Sequence, residues 1–113
     1  MNRDQVYLRD ILASAEATQE YIQGLSLEAF VGLREKQDAV IRALEVIGEA
    51  ARRLSQESKN AIPDIPWPKL IGMRNILIHQ YDNVDLDLVY ETVHNFIPPL
   101  IERIKVVLRD LQS

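Results

Sequence analysis

The feature that most constrains the fold is the spacing of the apolar residues, which recur at steps of three and four along almost the whole chain. This spacing places them on one face of an α-helix, which has about 3.6 residues per turn. Strand signals are missing, because no stretch alternates steadily between apolar and polar residues and no Asn-Gly or Asp-Gly hairpin turn occurs. The sequence therefore predicts an all-α protein.

The first half of the chain predicts two long amphipathic helices joined by a short helical turn. The first helix is expected over residues 4–23, after which Gly24 supplies a stop signal. Ser26 can cap the short turn, and the second long helix is expected over residues 34–58. Gly48 lies in the middle of this helix, where glycine costs about 1 kcal/mol relative to alanine and usually answers a need for close helix approach.

The second half predicts two further long helices after a proline-rich loop over residues 60–68. Trp67 lies between two prolines of this loop. It is interpreted as a core or interface anchor rather than a base-stacking platform, since large aromatic side chains dominate packing energies. Asp85 or Asp87 can cap the last helix, which should kink at Pro98-Pro99 because prolines remove backbone donors and clash with the preceding turn. Short loops favour antiparallel neighbours, so we expect an up-and-down bundle of four main helices plus one short extra turn.

The composition bounds the class of protein. At 113 residues the chain is expected to form a single domain, residues 1–113, with its own hydrophobic core. The absence of cysteine excludes disulfides, thiolate metal sites and cysteine nucleophiles, and it favours the cytoplasm. No apolar run approaches the roughly 18 residues of a membrane-spanning helix and no signal-peptide core occurs, so no membrane association is expected. A net charge of −4 argues against broad nucleic-acid binding, so any RNA site must be local.

Chemically useful side chains are concentrated in residues 74–81, which we call the motif segment. It holds Arg74, Asn75, His79 and Tyr81, and so combines a permanent cation, an amide, an imidazole and a phenol. A guanidinium group matches phosphate oxygens with a planar fork of donors. Histidine is the side chain that exchanges protons near neutral pH. The motif segment therefore indicates phosphoryl chemistry.

The spacing within the motif segment leaves two arrangements open. In a regular helix, residues five apart lie about 140° apart around the axis and about 7.5 Å apart along it, so Arg74 and His79 would not converge. Either the helix ends near His79 and frees that side chain to swing round, or a second copy of the chain completes the site. Tyr81 would return to the side of His79 if the chain leaves the helix in an extended conformation.

A charged ridge on the second long helix has two interpretations. Asp38, Arg42, Glu45, Glu49 and Arg52 follow steps of three and four along it. The simpler interpretation is a solvent-exposed face stabilised by pairs of opposite charge. The alternative is that the ridge lines a cleft opposite the motif segment, which makes Arg42, Glu45 and Glu49 candidate lining residues.

Other kinds of site are not indicated. His79 and His94 are fifteen residues apart, and there is no cysteine, no His-x-x-x-His and no carboxylate cluster at ligand spacing, so no metal or other cofactor is expected. There is also no glycine-rich phosphate loop and no Gly-x-Ser-x-Gly turn. His94 has no polar constellation around it and is interpreted as a structural or surface residue. On the residues alone, His79 is interpreted about equally as a helix-end cap and as a catalyst.

The motif segment fits the pattern Arg, four residues, His, any residue, Tyr, and in this it resembles the HepT-like toxins of the HEPN superfamily. The resemblance covers the chain from about residue 38 onward and leaves the first helix without a signature. The segments that share it are Ala39-Val40-Ile41-Arg42 with Leu44-Glu45, Ile47-Gly48-Glu49-Ala50, Ile65-Pro66-Trp67, Ile71-Gly72-Met73, Asp82 with Val84-Asp85-Leu86-Asp87, and Pro98-Pro99-Leu100. Arg-x4-His alone occurs by chance, but the combined run is specific.

The resemblance implies a HEPN-like helical domain that is a metal-independent endoribonuclease, the toxin of a type II toxin–antitoxin pair. In that family the arginine and histidine of the motif, here Arg74 and His79, are the catalytic residues. The 2′-hydroxyl of the RNA would be the nucleophile, with His79 as acid or base and Arg74 stabilising the phosphorane. Asn75 would orient a phosphate or the imidazole. The superfamily also implies a homodimer with a shared cleft, which would supply two motifs.

The resemblance further implies a partner, a minimal nucleotidyltransferase antitoxin that adds AMP to the tyrosine of the motif, here Tyr81. The added phosphodiester would oppose RNA binding by charge repulsion and bulk. A tyrosine packed against the bundle is an equally good interpretation of Tyr81. A second function also remains open, in which the chain is a non-catalytic nucleotide-binding or docking partner of the nucleotidyltransferase. A purely structural dimerisation bundle would leave the grouping of Arg, Asn, His and Tyr unexplained.

Overall fold

The structure is a computed structural model that describes residues 3–79 and 85–112, with side chains described except for residues 75–79. Within this part of the chain every regular element is helical, which confirms the predicted all-α fold. None of these helices is both long enough and apolar enough to cross a membrane.

Helix α1 spans Arg3–Ile22 and ends close to where the sequence predicted. Gly24 follows it with a φ of 74°, a left-handed conformation that glycine adopts without a steric penalty. The short helix α2 spans Leu27–Val31. Its N-cap, Ser26, accepts a hydrogen bond from the Ala29 N–H, as expected.

Helix α3 spans Arg34–Arg53, so the expectation that it continues to residue 58 was wrong. Ser55 instead caps a separate short helix, α4 (Gln56–Ala61), by accepting a backbone hydrogen bond. The carboxylate of Asp4 in α1 accepts hydrogen bonds from the Ser55 N–H and hydroxyl. A tertiary contact therefore fixes a break that helical periodicity does not reveal, and the bundle gains a short helix beyond the predicted extra turn.

Helix α5 spans Trp67–His79. Pro68 lies in its first turn, where a backbone N–H would have no helical acceptor. The Trp67 side chain is buried, and its Nε1 donates a 3.0 Å hydrogen bond to the carbonyl of Ile62. The interpretation of Trp67 as a core anchor is thereby confirmed.

The last stretch of the bundle is helical but not one regular helix. Helix α6 (Leu86–Glu91) is N-capped by Asp85, one of the two expected caps. It continues through a π-helical turn (Thr92–Phe96) into α7 (Ile97–Gln112). The irregularity thus takes the form of a π-helical turn directly before Pro98-Pro99, and the chain stays helical through both prolines.

The π-helical turn changes the backbone hydrogen bonds just before the prolines, where donors are missing. The Ile97 N–H donates to the carbonyl of Thr92, five residues back, and Pro98 has no N–H to donate. In a helix the Val93 carbonyl would accept a hydrogen bond from the N–H of residue 97 or 98. Ile97 donates to Thr92 instead and Pro98 has no N–H, so neither residue serves this carbonyl. The Gln19 side chain of α1 supplies the donor instead, at 2.8 Å.

Helix α3 lies at the centre of the bundle, between α1 and α5, and α7 packs against α1. The start of α1 meets the residues that follow α3, which shows that these two helices are antiparallel, as predicted. The core between the helices is apolar. Its largest fully buried side chains are Phe30, Leu8, Ile11, Leu44, Ile47, Leu70, Ile97, Ile104, Val40 and Val93.

Candidate active site

Helix α5 carries the first part of the motif segment. The Arg74 side chain is described, whereas the side chains of Asn75 and His79, and all of Tyr81, lie outside the described residues. His79 is the last residue of α5. Because Arg74 and His79 belong to one continuous helix, their backbone positions keep the angular separation expected from their spacing.

Gly48 determines how closely α5 approaches α3 at Arg74. A Cβ atom at position 48 would lie 2.3 Å from the Cβ of Arg74 and 3.1 Å from the carbonyl oxygen of Leu70. Any other residue would therefore force the two helices apart, since protein interiors leave no room for such an overlap. The expectation that Gly48 answers a need for close helix approach is confirmed.

Glu49 follows Gly48 and binds Arg74 directly. Its Oε2 lies 2.8 Å from the Nε of Arg74. Its Oε1 accepts hydrogen bonds from Arg53 Nε at 2.9 Å and from Arg52 Nη2 at 3.0 Å. Three guanidinium groups therefore converge on one carboxylate, and we call these four residues the arginine cluster.

The arginine cluster keeps its carboxylate ionised. Hydrogen bonds from Arg52 and Arg53 lower the pKa of Glu49 from an ordinary value of 4.5 to about 2, and the charge of Arg74 acts in the same direction. The hydrogen bond to Glu49 in turn raises the pKa of Arg53, with a further contribution from Tyr7. At neutral pH the cluster thus carries three positive charges and one negative charge.

A cleft of about 240 Å³, with charged residues as most of its lining, opens between α1 and α3 beside the arginine cluster. Arg42, Glu45 and Glu49 line it from α3, and Tyr7 and Asp10 line it from α1. The three candidate lining residues from the charged ridge thus share one cleft, but it opens towards α1 and no described side chain of α5 lines it. A cleft opposite the motif segment therefore stays a prediction, although Glu49 also binds the guanidinium group of Arg74 on α5.

The charged ridge also contains ion pairs of the kind expected for a solvent-exposed helix face. Asp38 pairs with Arg34 at 3.2 Å, and both side chains are mostly exposed. Arg42 pairs with Glu45 at 3.6 Å. The ridge is therefore a solvated face over the first turns of α3, and farther along the helix its residues line the cleft.

His94, the second histidine of the chain, lies on the surface of the bundle. The His94 side chain is exposed and stacks on Tyr90, with ring centroids 5.6 Å apart, which confirms it as a surface residue. Within the part of the chain that the structure describes, no three His, Cys, Asp or Glu side chains are grouped so that they could hold a metal ion.

Sequence reasoning did not single out Tyr7, Asp10 or Arg53 as neighbours of the site. Arg53 lies four residues after Glu49, which is the spacing of a helical ion pair, so this contact could have been predicted. Tyr7 and Asp10 belong to α1, and no local pattern pairs α1 with this part of α3. Only the packing of the two helices brings them into the cleft.

Comparison with known proteins finds a family model and several curated relatives. The model of the family described as "Ribonuclease HepT-like" matches residues 11–107. The chain is 35% identical over 103 residues to "Putative RNase MJ1380" of Methanocaldococcus jannaschii, covering 91% of this chain and 94% of that protein. It is 40% identical over 94 residues to "Probable ribonuclease HepT" of Thermococcus cleftensis, covering 83% and 86%.

A longer relative matches over the whole chain. It is "Gamma-glutamylcyclotransferase and putative RNase MJ0434" of M. jannaschii, 40% identical over 114 residues. The match covers 100% of this chain but 51% of that protein, so the chain spans about half of its length. No solved structure matches the chain. The family match includes all of α3 and α5, the two helices that form the arginine cluster.

Proposed function

Because the chain belongs to the ribonuclease HepT-like family, we propose that it cleaves RNA at a site built from Arg74 and His79 and acts as the toxin of a type II toxin–antitoxin pair. The observation that carries the proposal is the placement of Arg74. Its guanidinium is bound by Glu49 at 2.8 Å, next to Gly48, which lets α5 come close to α3, and His79 follows on the same helix.

The proposed reaction needs no metal ion. The 2′-oxygen of the RNA attacks the adjacent phosphorus, and the bond from phosphorus to the 5′-oxygen breaks, which leaves a cyclic phosphate and a 5′-hydroxyl. One group takes the proton of the 2′-hydroxyl and another protonates the leaving oxygen. His79 is suited to these proton transfers. Arg74 would stabilise the charge that develops on the phosphorane, and Asn75 would orient a phosphate or the imidazole.

A homodimer would supply a second histidine. A single His79 cannot be acid and base in the same step, and Arg74 and His79 lie about 140° apart around the axis of α5. A two-fold dimer that joins two motif segments would bring Arg74 of one chain towards His79 of the other. The proposed site is therefore shared between chains.

The first experiment is RNA cleavage by purified protein in EDTA, comparing wild type with Arg74→Ala and His79→Ala. We expect cleavage by wild type alone, with unchanged helicity by circular dichroism and unchanged size by light scattering in all three. Equal cleavage in all three would disprove the proposed site. No cleavage in any of them, with RNA and partner conditions varied, would favour the alternative of a non-catalytic nucleotide-binding or docking partner, which the net charge of −4 also favours.

The shared site has a test of its own. We expect wild type mixed with an excess of the His79→Ala protein, after exchange of subunits, to lose most of its rate. A mixed dimer would hold one His79 and would therefore lack either the acid or the base. The same mixture assayed before exchange of subunits is the control. An undiminished rate in a mixture in which mixed dimers are detected by mass spectrometry would contradict a site formed across the dimer.

Regulation would involve Tyr81 and a cytoplasmic minimal nucleotidyltransferase antitoxin that adds AMP to it. The added phosphodiester would repel RNA phosphates from Arg74. Intact-mass analysis after co-expression with such a partner should show an adenylyl adduct on wild type and none on Tyr81→Phe. The same adduct on both proteins would place the modification elsewhere, and its absence from wild type would contradict this route of inhibition.

A further inference from the structure

The arginine cluster contains two guanidinium groups that the proposed cleavage does not use. Arg52 and Arg53 lie at the C-terminal end of α3, and both donate to Oε1 of Glu49. Arg74 binds Oε2 of the same carboxylate. Since both oxygens belong to one carboxylate, the three guanidinium groups are held close together around it.

The three arginines differ in their access to solvent. The Arg74 side chain is 28% exposed and that of Glu49 30%, whereas Arg52 and Arg53 are 54% and 57% exposed. Arg74 is therefore the least accessible arginine of the cluster, and Arg52 and Arg53 are more open to solvent. Because all three guanidinium groups share one carboxylate, a polymer that reaches Arg74 with one phosphate can bring a neighbouring phosphate to Arg52 and Arg53.

The local charge favours an anion, although the chain as a whole is acidic. Three guanidinium groups face one carboxylate in the cluster, whereas the chain carries a net charge of −4. The adjoining cleft adds no further cationic excess, because Arg42 is paired with Glu45 there and Asp10 lies opposite. The positive excess is thus confined to the arginine cluster, as required of a local RNA site in an acidic protein.

Glu49 prepares these groups for a ligand rather than blocking them. A guanidinium carries five N–H donors in a fixed plane. Arg52 donates two hydrogen bonds to Glu49, and Arg53 bonds Glu49 and Tyr7, so both retain donors for a phosphate. The shared carboxylate also offsets the mutual repulsion of three like charges and holds their side chains in place. Ordering these side chains before binding lowers the entropic cost of binding.

We propose that Arg52 and Arg53 form a second phosphate-binding subsite, which holds the RNA strand beside the phosphate contacted by Arg74. The ligand class is a single-stranded RNA backbone, bound through its phosphate oxygens and without base selection. The proposal rests on the proposed ribonuclease function, because it takes Arg74 to be at the cleaved phosphate.

The test measures RNA binding separately from cleavage. All proteins carry His79→Ala so that the RNA stays intact, and binding of a short fluorescein-labelled single-stranded RNA is followed by anisotropy. We expect Arg52→Gln/Arg53→Gln to weaken binding roughly tenfold, and to reduce the slope of log affinity against log salt by about 1.4, for two lost phosphate contacts.

A matched control removes the same charge from the other end of the same helix. Arg34→Gln/Lys36→Gln lowers the net charge by an equal amount roughly 25 Å away along α3, and should bind RNA as its parent does. Equal weakening in both double variants would overturn the subsite, because it would show a general effect of charge. Unchanged binding by Arg52→Gln/Arg53→Gln would overturn it as well.

A conservative variant separates a local role in binding from a role in folding. Arg52→Lys/Arg53→Lys keeps both charges but loses the planar forks, so its affinity should lie between those of the parent and the glutamine variant. Steady-state cleavage without the His79 change should show a raised KM and a kcat within about twofold of wild type for the glutamine variant. If wild type does not cleave RNA, the proposed function fails, while the binding series still decides the subsite.

Discussion

Two neighbouring residues of α3 act on Arg74 in different ways. Gly48 lets the backbone of α5 come close, because a Cβ at this position would overlap the Cβ of Arg74 at 2.3 Å. Glu49 then binds the guanidinium at 2.8 Å and fixes its direction. Consecutive residues of α3 thus set how close α5 comes and how the Arg74 side chain is oriented, and each of these two residues can be substituted separately.

Gly48→Ala should destabilise the protein by about 1–3 kcal/mol, because the added methyl group cannot be accommodated without moving α5. The free energy of unfolding in urea measures this effect, and RNA cleavage should fall with it as Arg74 moves. Gly72→Ala is the matched control in α5. Its Cβ would meet nothing within 4 Å, so the higher helix propensity of alanine should stabilise by about 0.5–1 kcal/mol. Equal stability of the two variants would contradict the close approach.

Glu49→Gln should lower kcat roughly tenfold, about 1.4 kcal/mol of transition-state stabilisation, and change KM less. The substitution removes the ion pair that orients Arg74 but leaves the three guanidinium charges in place. Asp38→Asn, which removes a carboxylate from another ion pair of the same helix, is the control. An unchanged kcat in Glu49→Gln, or an equal loss of kcat in Asp38→Asn, would show that Glu49 does not act by orienting Arg74.

At the scale of helices, two irregularities are set by side chains from distant parts of the chain. Asp4 of α1 binds the Ser55 N–H and hydroxyl, where the chain turns from α3 into α4. Gln19 of α1 donates to the carbonyl of Val93 in the π-helical turn. In both cases a polar side chain serves a backbone group that a regular helix would have satisfied itself.

Gln19→Leu should destabilise the protein by about 1–3 kcal/mol, because it leaves the Val93 carbonyl without a donor beside the prolines. The same substitution at the exposed Gln23, whose side chain makes no such contact, should change stability by less than about 0.5 kcal/mol. Urea unfolding at neutral pH measures both. A Gln19→Leu protein as stable as Gln23→Leu would show that the π-helical turn needs no donor from α1.

At the scale of the whole molecule, three carboxylates join different elements and all have a lowered pKa. Asp4 joins α1 to α4, and hydrogen bonds from Ser55 and Ser58 outweigh the opposing effect of burial on its pKa. Glu49 joins α3 to α5. Asp64 joins the loop before α5 to α7, where a hydrogen bond from Arg103 lowers its pKa. Protonation of these groups weakens contacts between elements and, for Glu49, also its ion pairs with Arg52 and Arg53 within α3.

The stability of the protein should therefore fall on acidification. A group with a lowered pKa in the folded state stabilises that state above its unfolded pKa, and this contribution is lost as the pH falls towards the folded pKa. For Glu49 the loss lies between about pH 4.5 and pH 2. Urea unfolding across this range should show a declining free energy for wild type and a shallower decline for Glu49→Gln. Parallel declines would contradict the lowered pKa of Glu49.

Much of the bundle follows from local sequence signals, for reasons that act within a few residues. Apolar spacing predicts the helices, and Gly24, Ser26 and Asp85 mark their ends because their backbone and side-chain preferences are local. The grouping of Arg74, Asn75, His79 and Tyr81 marks the motif segment. The ion pair of Glu49 and Arg53 was not predicted, although their spacing of four residues would have indicated it. The side chains of Asn75 and His79, together with Tyr81, lie outside the described residues, so their roles remain predictions.

The sequence by itself determined that the chain is helical, where most helices begin and end, and which residues are candidates for chemistry, because each of these depends on neighbours along the chain. Only the tertiary structure decided which helices meet at Arg74. The two helices α3 and α5 come together at Gly48, and the spacing of residues along the chain does not indicate which helix packs there. The tertiary structure also decided that Glu49 gathers Arg74 with Arg52, and that α3 stops short beside Asp4. These features depend on atoms far apart in sequence, and packing alone brings them within a hydrogen bond.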